Sequence, residues 1–169
     1  MRDSRIPRES NNQRIGITGL SNQQTDTAGK RLELLREVVP GLRRLAIMAN
    51  AGGSGSMLEA DEAQAMARTL GFEVVRREIR RMEDIALAFE AFKGRADALY
   101  VVSDPLVNSN RNHINTLALG GRLPTMHGFR ELVQAGGLMS YGPNFPDLFR
   151  RGLWRRRNWC RPRPAWRGE

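Results

Sequence analysis

Polar residues that could hold a small molecule follow three of the predicted strands. The glycine-rich loop 50–56 follows the first apolar run, Asp104 follows the central run, and residues 127–131 follow the next one. In open parallel sheets, ligands bind at the carboxyl ends of the strands. The three segments are therefore candidates for one shared binding edge.

Two of these segments have a structural as well as a functional interpretation. Asp104 stands just before Pro105 and could cap the next helix, or it could point into a cleft and pair with a ligand's ammonium or polar group. Arg130 could bind a carboxylate, or it could form a solvated pair with Glu131. The sequence leaves both alternatives open.

The glycine-rich loop does not match a nucleotide-binding motif. It lacks the Lys-Ser/Thr pair of a P-loop, and its glycines do not fit the dinucleotide fingerprint with a downstream acidic residue. We therefore interpret the loop as a flexible connection that lies, by its position, at the ligand edge.

Catalysis and metal binding have no support in the sequence. The only two histidines are His113, expected to be exposed on a polar helix, and His127. No Cys/His cluster has the spacing of a metal site, and no Ser-His-Asp arrangement stands out. Cys160 is the only cysteine, so no internal disulfide can form. We predict that the protein is not an enzyme and that it uses neither cofactor nor metal.

Helical and strand patterns alternate along the chain from Thr25, where Thr25 or Asp26 could cap the first helix. Parallel neighbours need crossover connections, so this order predicts an α/β fold. We expect a Rossmann-like open parallel sheet of four to five strands with helices on both faces. The predicted strands are 45–49, 72–79, 98–102, 124–127 and 137–141; the predicted helices include 57–70 and 108–119.

The net charge of +9 lies mainly in the two ends of the chain. Residues 1–14 are polar and irregular, residues 15–150 are close to neutral, and residues 151–169 form a basic Trp/Arg tail that we expect to be disordered. This tail could bind nucleic acid or a membrane surface, but its loss of periodicity is more typical of translation in a wrong frame. Neither a secretory signal nor a transmembrane run is visible, so the chain as written is expected in the cytoplasm.

Five collinear segments carry a resemblance that covers about four-fifths of the chain. The body resembles the substrate-binding proteins of ABC transporters. The segments are residues 19–24, 29–50, 94–107, 123–131 and 136–144.

The resemblance implies a type I periplasmic binding protein, in which two Rossmann-like lobes close over a small organic solute. This chain would carry the second lobe. The chain crossings imply hinges at Thr18 and Gly19 and at Tyr141 and Gly142. By position at the strand ends, the ligand-binding candidates are Asn50, Ser54, Asp104, Gly128 and Phe129.

The resemblance also implies an ABC permease as partner and a periplasmic location for the intact family. The lobe surface left without its counterpart could drive self-association. The remaining alternatives are a non-functional partial copy, a nucleic-acid- or membrane-binding protein that acts through its tail, and a small enzyme on a flavodoxin-like sheet.

Overall fold

The computed structural model describes residues 27–144, 147, 149 and 150. The predicted cap at Thr25 or Asp26, the hinge positions Thr18 and Gly19, and the basic tail 151–169 lie outside the described residues. The division into an irregular start, a lobe over 15–150 and a tail therefore stays a prediction.

Eleven elements alternate along residues 28–140 in the order expected of an α/β fold. The helices are α1 (Ala28–Val38), α2 (Ser54–Thr69), α3 (Glu83–Phe92), α4 (Pro105–Ser109), α5 (Arg111–Gly120) and α6 (Arg130–Gln134). The strands are β1 (Arg44–Asn50), β2 (Glu73–Ile79), β3 (Ala98–Val101), β4 (Thr125–His127) and β5 (Met139–Ser140).

The five strands form one sheet in the order β2-β1-β3-β4-β5, and every neighbouring pair is parallel. The chain moves outward from β1 in one direction to β2 and then in the other to β3, β4 and β5. Between β1 and β3 the strand order therefore reverses, which is where doubly wound sheets bind ligands. The predicted Rossmann-like parallel sheet is confirmed.

Each face of the sheet carries its own hydrophobic core. Strand β1 supplies Leu45, Ile47 and Ala49 to the core beneath α1 and α2, while Ala46 and Met48 enter the core beneath α3, α5 and α6. All five of these side chains are fully buried. A strand covered on both faces has no polar alternation, which explains the continuous apolar run in the sequence.

Two elements differ substantially from their predicted bounds, while the others differ by one to three residues at their ends. The helix expected over 108–119 is two helices, because Asn110 leaves the helical conformation (φ −105°, ψ 16°) between α4 and α5. Strand β5 has two residues rather than the five predicted. Its neighbour β4 has only three residues, so a longer β5 would have no further residues of β4 to pair with.

Glycines end two of the crossover helices where the backbone turns back toward the sheet. Gly71 (φ +82°) follows α2 and Gly94 (φ +68°) follows α3. These positive φ values strain residues with a Cβ, so glycine is the residue that allows each short return to the next strand.

At the amino end of β3, Asp97 fixes the start of the neighbouring strand. Its Oδ1 accepts a hydrogen bond from Arg44 Nη2 at 2.7 Å, and its Oδ2 accepts from the Arg44 backbone N–H at 2.9 Å. The Arg44 guanidinium holds the pKa of the Asp97 carboxyl below its usual value, with backbone hydrogen bonds acting in the same direction. Asp97 is therefore an acidic group with a structural role at the edge opposite to the candidate ligand edge.

No helix among the described residues is both long and apolar enough to span a bilayer.

The two-sided burial of β1 predicts a large and local effect of truncation. Ile47→Ala should lower the free energy of unfolding by about 3 kcal/mol, because it leaves a cavity beneath α1 and α2. Leu87→Ala, at a side chain that is 69 % exposed on α3, is the control and should change it by less than about 0.5 kcal/mol. Urea unfolding followed by circular dichroism measures both, and equal effects would contradict the burial of Ile47.

Candidate functional site

A direct contact between two predicted site residues lies at the point where the strand order reverses. Asn50 is the last residue of β1, and Asp104 follows β3. Asn50 Nδ2 donates a hydrogen bond to Asp104 Oδ1 at 2.8 Å. The two residues are 54 positions apart in the chain, and the pairing of β1 with β3 brings them together.

The loop after β1 is shaped by Asn50 and fits closely against Asp104. Asn50 Oδ1 accepts a hydrogen bond from the Gly52 N–H at 2.8 Å, and the Asn50 N–H donates to Ser56 Oγ at 3.0 Å. A Cβ on Gly53 would lie 2.8 Å from Asp104 Oδ2. Glycine is therefore needed at this position for the loop to approach the carboxylate. Ser54 follows as the exposed first residue of α2.

Asp104 fulfils its structural interpretation through one of its two carboxylate oxygens. It caps α4, because Oδ1 accepts a hydrogen bond from the Leu106 N–H at 2.8 Å in addition to the one from Asn50. None of the hydrogen bonds recorded among the described residues uses Oδ2. The carboxylate is thus oriented through one oxygen while the other faces the glycine loop.

The other two predicted ligand residues lie after β4, on a different part of the edge. Gly128 is buried, and a Cβ there would collide with Ser103 Oγ and lie 3.0 Å from Arg31 Nη2. Phe129 caps α6 without a side-chain hydrogen bond, and its partly buried ring packs against the core beneath α3, α5 and α6. Gly128 thus lies against Ser103, the residue that precedes Asp104.

The candidate site offers a carboxylate, an amide and backbone groups at the strand edge. Within the described part of the chain, no group of three or more His, Cys, Asp or Glu side chains could hold a metal ion. A separate surface pocket of about 400 Å³ lies among α4, α5 and α6 and is lined mainly by amide and charged side chains, but by none of the five predicted ligand residues. A carboxylate, an amide and backbone groups at a strand edge are typical of recognition of a small polar molecule.

Comparison with known proteins now assigns the family. Residues 7–148 match the family described as ABC transporter substrate binding protein. The chain belongs to this family. The resemblance seen in the sequence is confirmed, and the type I periplasmic-binding-protein fold follows from the solved structures that the chain resembles.

Three relatives of this substrate-binding family illustrate the similarity. The chain is 24 % identical over 119 residues to a tyrosine-binding protein of Clostridioides difficile strain R20291, over 70 % of this chain and 34 % of that protein. It matches an L-Trp complex from Streptococcus pneumonia with a TM-score of 0.70 at 20 % identity, over 82 % of this chain and 48 % of that one. A ligand-free, open substrate binding protein with adhesive properties from Clostridium difficile matches at 0.63 and 25 % identity, over 79 % and 46 %. The chain therefore spans less than half the length of these relatives.

A buried polar cluster beneath the ligand edge was missed by the sequence reasoning. The Arg31 side chain on α1 is fully buried, and its Nη1 donates to Glu59 Oε1 at 2.6 Å and to Tyr100 Oη at 2.8 Å. Tyr100 Oη in turn donates to Glu59 Oε1 at 2.9 Å. Burial raises the pKa of Glu59, and the Arg31 guanidinium opposes that rise. Burial also raises the pKa of the Tyr100 hydroxyl, so tyrosine stays a neutral donor.

The two histidines have different environments. His113 is exposed on α5, as predicted. His127 was predicted at the end of the fourth strand; it is the last residue of β4, and its side chain is fully buried. Its Nε2 lies 3.0 Å from Thr125 Oγ1, and a Cβ on Gly137 would lie 2.5 Å from it. Burial lowers the pKa of His127 to about 4.

This buried histidine predicts that the protein loses stability in mild acid. Above pH 6.5 His127 is neutral in the folded and in the unfolded protein. Between pH 6.5 and about pH 4, His127 binds a proton in the unfolded chain but stays neutral in the folded one. The free energy of unfolding should therefore fall by about 3 kcal/mol between these pH values and change little further from this cause.

The control for this prediction is His127→Gln, whose amide can still meet Thr125 but does not titrate. Glu59 titrates in both proteins, so the difference between their urea-unfolding curves from pH 4 to 8 isolates the histidine. Parallel curves for the two proteins would contradict the prediction.

Proposed function

We propose that this chain forms one lobe of an ABC-transporter solute-binding protein and binds an amino-acid-like solute at the carboxyl edge of its sheet. The lobe would comprise residues 15–150. The observation that carries the proposal is the Asn50–Asp104 pair, which lies where the strand order reverses and leaves Asp104 Oδ2 without a hydrogen bond among the described residues. The match to the family of ABC transporter substrate-binding proteins also supports the proposal.

The chemistry of the edge favours a ligand with an ammonium group. Asp104 offers a carboxylate oxygen, while Asn50 and the exposed Ser54 offer neutral polar groups beside it. A carboxylate binds an ammonium through charge-assisted hydrogen bonds, which are about twice as strong as neutral ones. Tyrosine and L-tryptophan, named for two of the relatives, carry such a group. Gly128 and Phe129 would line the neighbouring part of the cleft and contact the rest of the solute.

Binding of this kind needs no catalysis and no cofactor. A solute-binding protein works by closing two lobes around its ligand, so that most of the ligand surface is buried. One sheet edge covers the solute from one side only. The chain by itself should therefore bind with a dissociation constant of about millimolar rather than micromolar.

The partner and location proposed for the intact protein follow from the family. The solute-loaded form would deliver its ligand to an ABC permease, and this exchange would take place in the periplasm. Tyr141 and Gly142, with Thr18 and Gly19, would form the crossings about which the lobes rotate. No nucleic acid is needed for any of these steps.

The role of Asp104 is tested by removing its charge while keeping its shape. Chemical-shift titration by NMR should show that Asp104→Asn weakens L-tryptophan binding at least about tenfold, because the ammonium loses its charged acceptor. The variant keeps an oxygen that can cap α4, so the fold should persist.

Two controls sharpen this experiment. Asp97→Asn makes the same change at the opposite end of β3 and should leave binding unaltered. Indole-3-propionate, which lacks the ammonium group, should bind the wild type and Asp104→Asn equally. Loss of indole-3-propionate binding in Asp104→Asn would overturn the ammonium assignment, and micromolar binding of tryptophan by the wild type would overturn the one-lobe proposal.

Self-association of the isolated lobe is a further expectation of this proposal. Leu138 lies just before β5 with 51 % of its surface exposed, beside the short last strand of the sheet. Exposed apolar side chains at the edge of a sheet favour association. Analytical ultracentrifugation should show dimers that Leu138→Gln reduces. Leu119→Gln, which changes a leucine that is 78 % exposed on α5, should not reduce them. A monodisperse wild-type monomer would contradict the expectation.

A further inference from the structure

The backbone of Tyr141 is tied to the sheet through both of its polar groups. Its N–H donates to the His127 carbonyl at 3.1 Å, which continues the parallel pairing of β5 with β4. Its carbonyl accepts a hydrogen bond from Arg31 Nε at 2.7 Å, across 110 residues of chain. Tyr141 is thus held from the strand on one side and from helix α1 on the other.

Arg31 is itself held rigidly, so it can act as a fixed donor. Its Nη1 is bound by Glu59 and Tyr100, which bring α2 and β3 to the same guanidinium. The side chain is fully buried, and its charge is balanced by Glu59 at 2.6 Å. A buried, paired guanidinium has little freedom to follow a moving carbonyl.

Glycines at positions 128 and 142 leave room for the Arg31 guanidinium beside the chain that follows β5. Arg31 Nη2 lies 3.0 Å from the position of a Cβ on Gly128 and 3.3 Å from that of a Cβ on Gly142. A Cβ on Gly142 would also collide with the Gly128 carbonyl. Glycine at position 142 therefore allows the close approach to the Gly128 backbone, and glycine at position 128 leaves room for the Arg31 guanidinium.

Gly142, the residue after Tyr141, differs from it in its backbone hydrogen bonding. Among the described residues, none of the recorded backbone hydrogen bonds uses the Gly142 N–H, and Pro143 has no N–H to donate. Gly142 is also exposed and has no side chain to restrict its φ and ψ. The first backbone torsions not tied by hydrogen bonds to the lobe are those of Gly142.

We propose that Arg31 is a positioning residue that fixes Tyr141 to the lobe, so that the chain bends at Gly142 and not at Tyr141. This rests on the proposed function only in that the crossing serves as a hinge in a two-lobed protein. The expected hinge comprised both Tyr141 and Gly142. In this proposal the backbone rotates only at Gly142, and Tyr141 stays fixed to the lobe. Lobe rotation would then leave the side chain of Tyr141 in place at the edge of the sheet.

Amide hydrogen exchange measured by NMR on the full chain tests the anchor without any ligand. Arg31→Lys keeps a cation that can pair with Glu59 but cannot also supply the Nε donor to Tyr141. The Tyr141 amide should then exchange at least about tenfold faster relative to the Ile47 amide in β1, because the charged hydrogen bond to the Tyr141 carbonyl, in the next peptide of the chain, no longer holds this residue against the lobe. No relative change at Tyr141 would overturn the proposal.

The matched control removes the charge pair but keeps the anchor. Glu59→Gln retains an oxygen that can accept from Arg31, and Arg31 Nε still donates to Tyr141. This variant should leave the exchange of Tyr141 relative to Ile47 unchanged; an equal rise in Glu59→Gln would overturn the specific role of the Nε donor.

If Arg31→Lys does not fold, amide exchange in the wild-type protein tests the proposal instead. Its Tyr141 amide should be protected while its Gly142 amide exchanges at least about tenfold faster. Equal exchange of the two amides would overturn the proposal. Because neither measurement uses a solute, failure of the anchor and failure of amino-acid binding are distinguishable.

Discussion

The burial of β1 on both faces determines the arrangement of the described chain. A strand with Ile47 on one face and Met48 on the other must have helices on both sides, since each core excludes water only if it is covered. Parallel neighbours then require each return to pass through a helix. All carboxyl ends consequently meet at one edge, and the loop after β1 lies beside the loop after β3. The Asn50–Asp104 contact is a consequence of this topology.

A buried polar cluster of Arg31, Glu59 and Tyr100 lies within the otherwise apolar core on the α1 and α2 side. The Arg31–Glu59 pair has lost its solvation, so it adds little net stability compared with apolar residues of the same size. The pair instead fixes the positions of neighbouring elements, because the guanidinium is hydrogen-bonded to α2, to β3 and to the carbonyl of Tyr141. A leucine at this position could pack but could not direct the path of the chain after β5. Desolvation of the Arg31–Glu59 pair thus costs free energy, while the guanidinium fixes the path of the chain after β5.

Residue patterns predicted the fold well and the site only in part. Strands such as β1 and β3 are recognisable because their apolar runs are continuous, and the helices between them follow from periodicity and terminal glycines. The break at Asn110 and the two-residue β5 depend on tertiary packing, which local patterns do not contain. Arg31 was missed because its partners lie 28, 69 and 110 residues away, and nothing distinguishes it locally from the exposed arginines of the chain.

Asp104 has a role in the fold and, in the function that we propose, a second role in ligand binding. Its Oδ1 caps α4 and binds Asn50, so the rotation of the carboxylate is fixed before any ligand arrives. A group that is already oriented loses little entropy on binding, which favours affinity without additional contact area. The same restraint limits what the edge can recognise, because Oδ2 faces the loop at Gly53 and cannot turn elsewhere. Selectivity for an ammonium group would thus come from the fold of this edge, while tight binding would require a second surface that covers the rest of the solute.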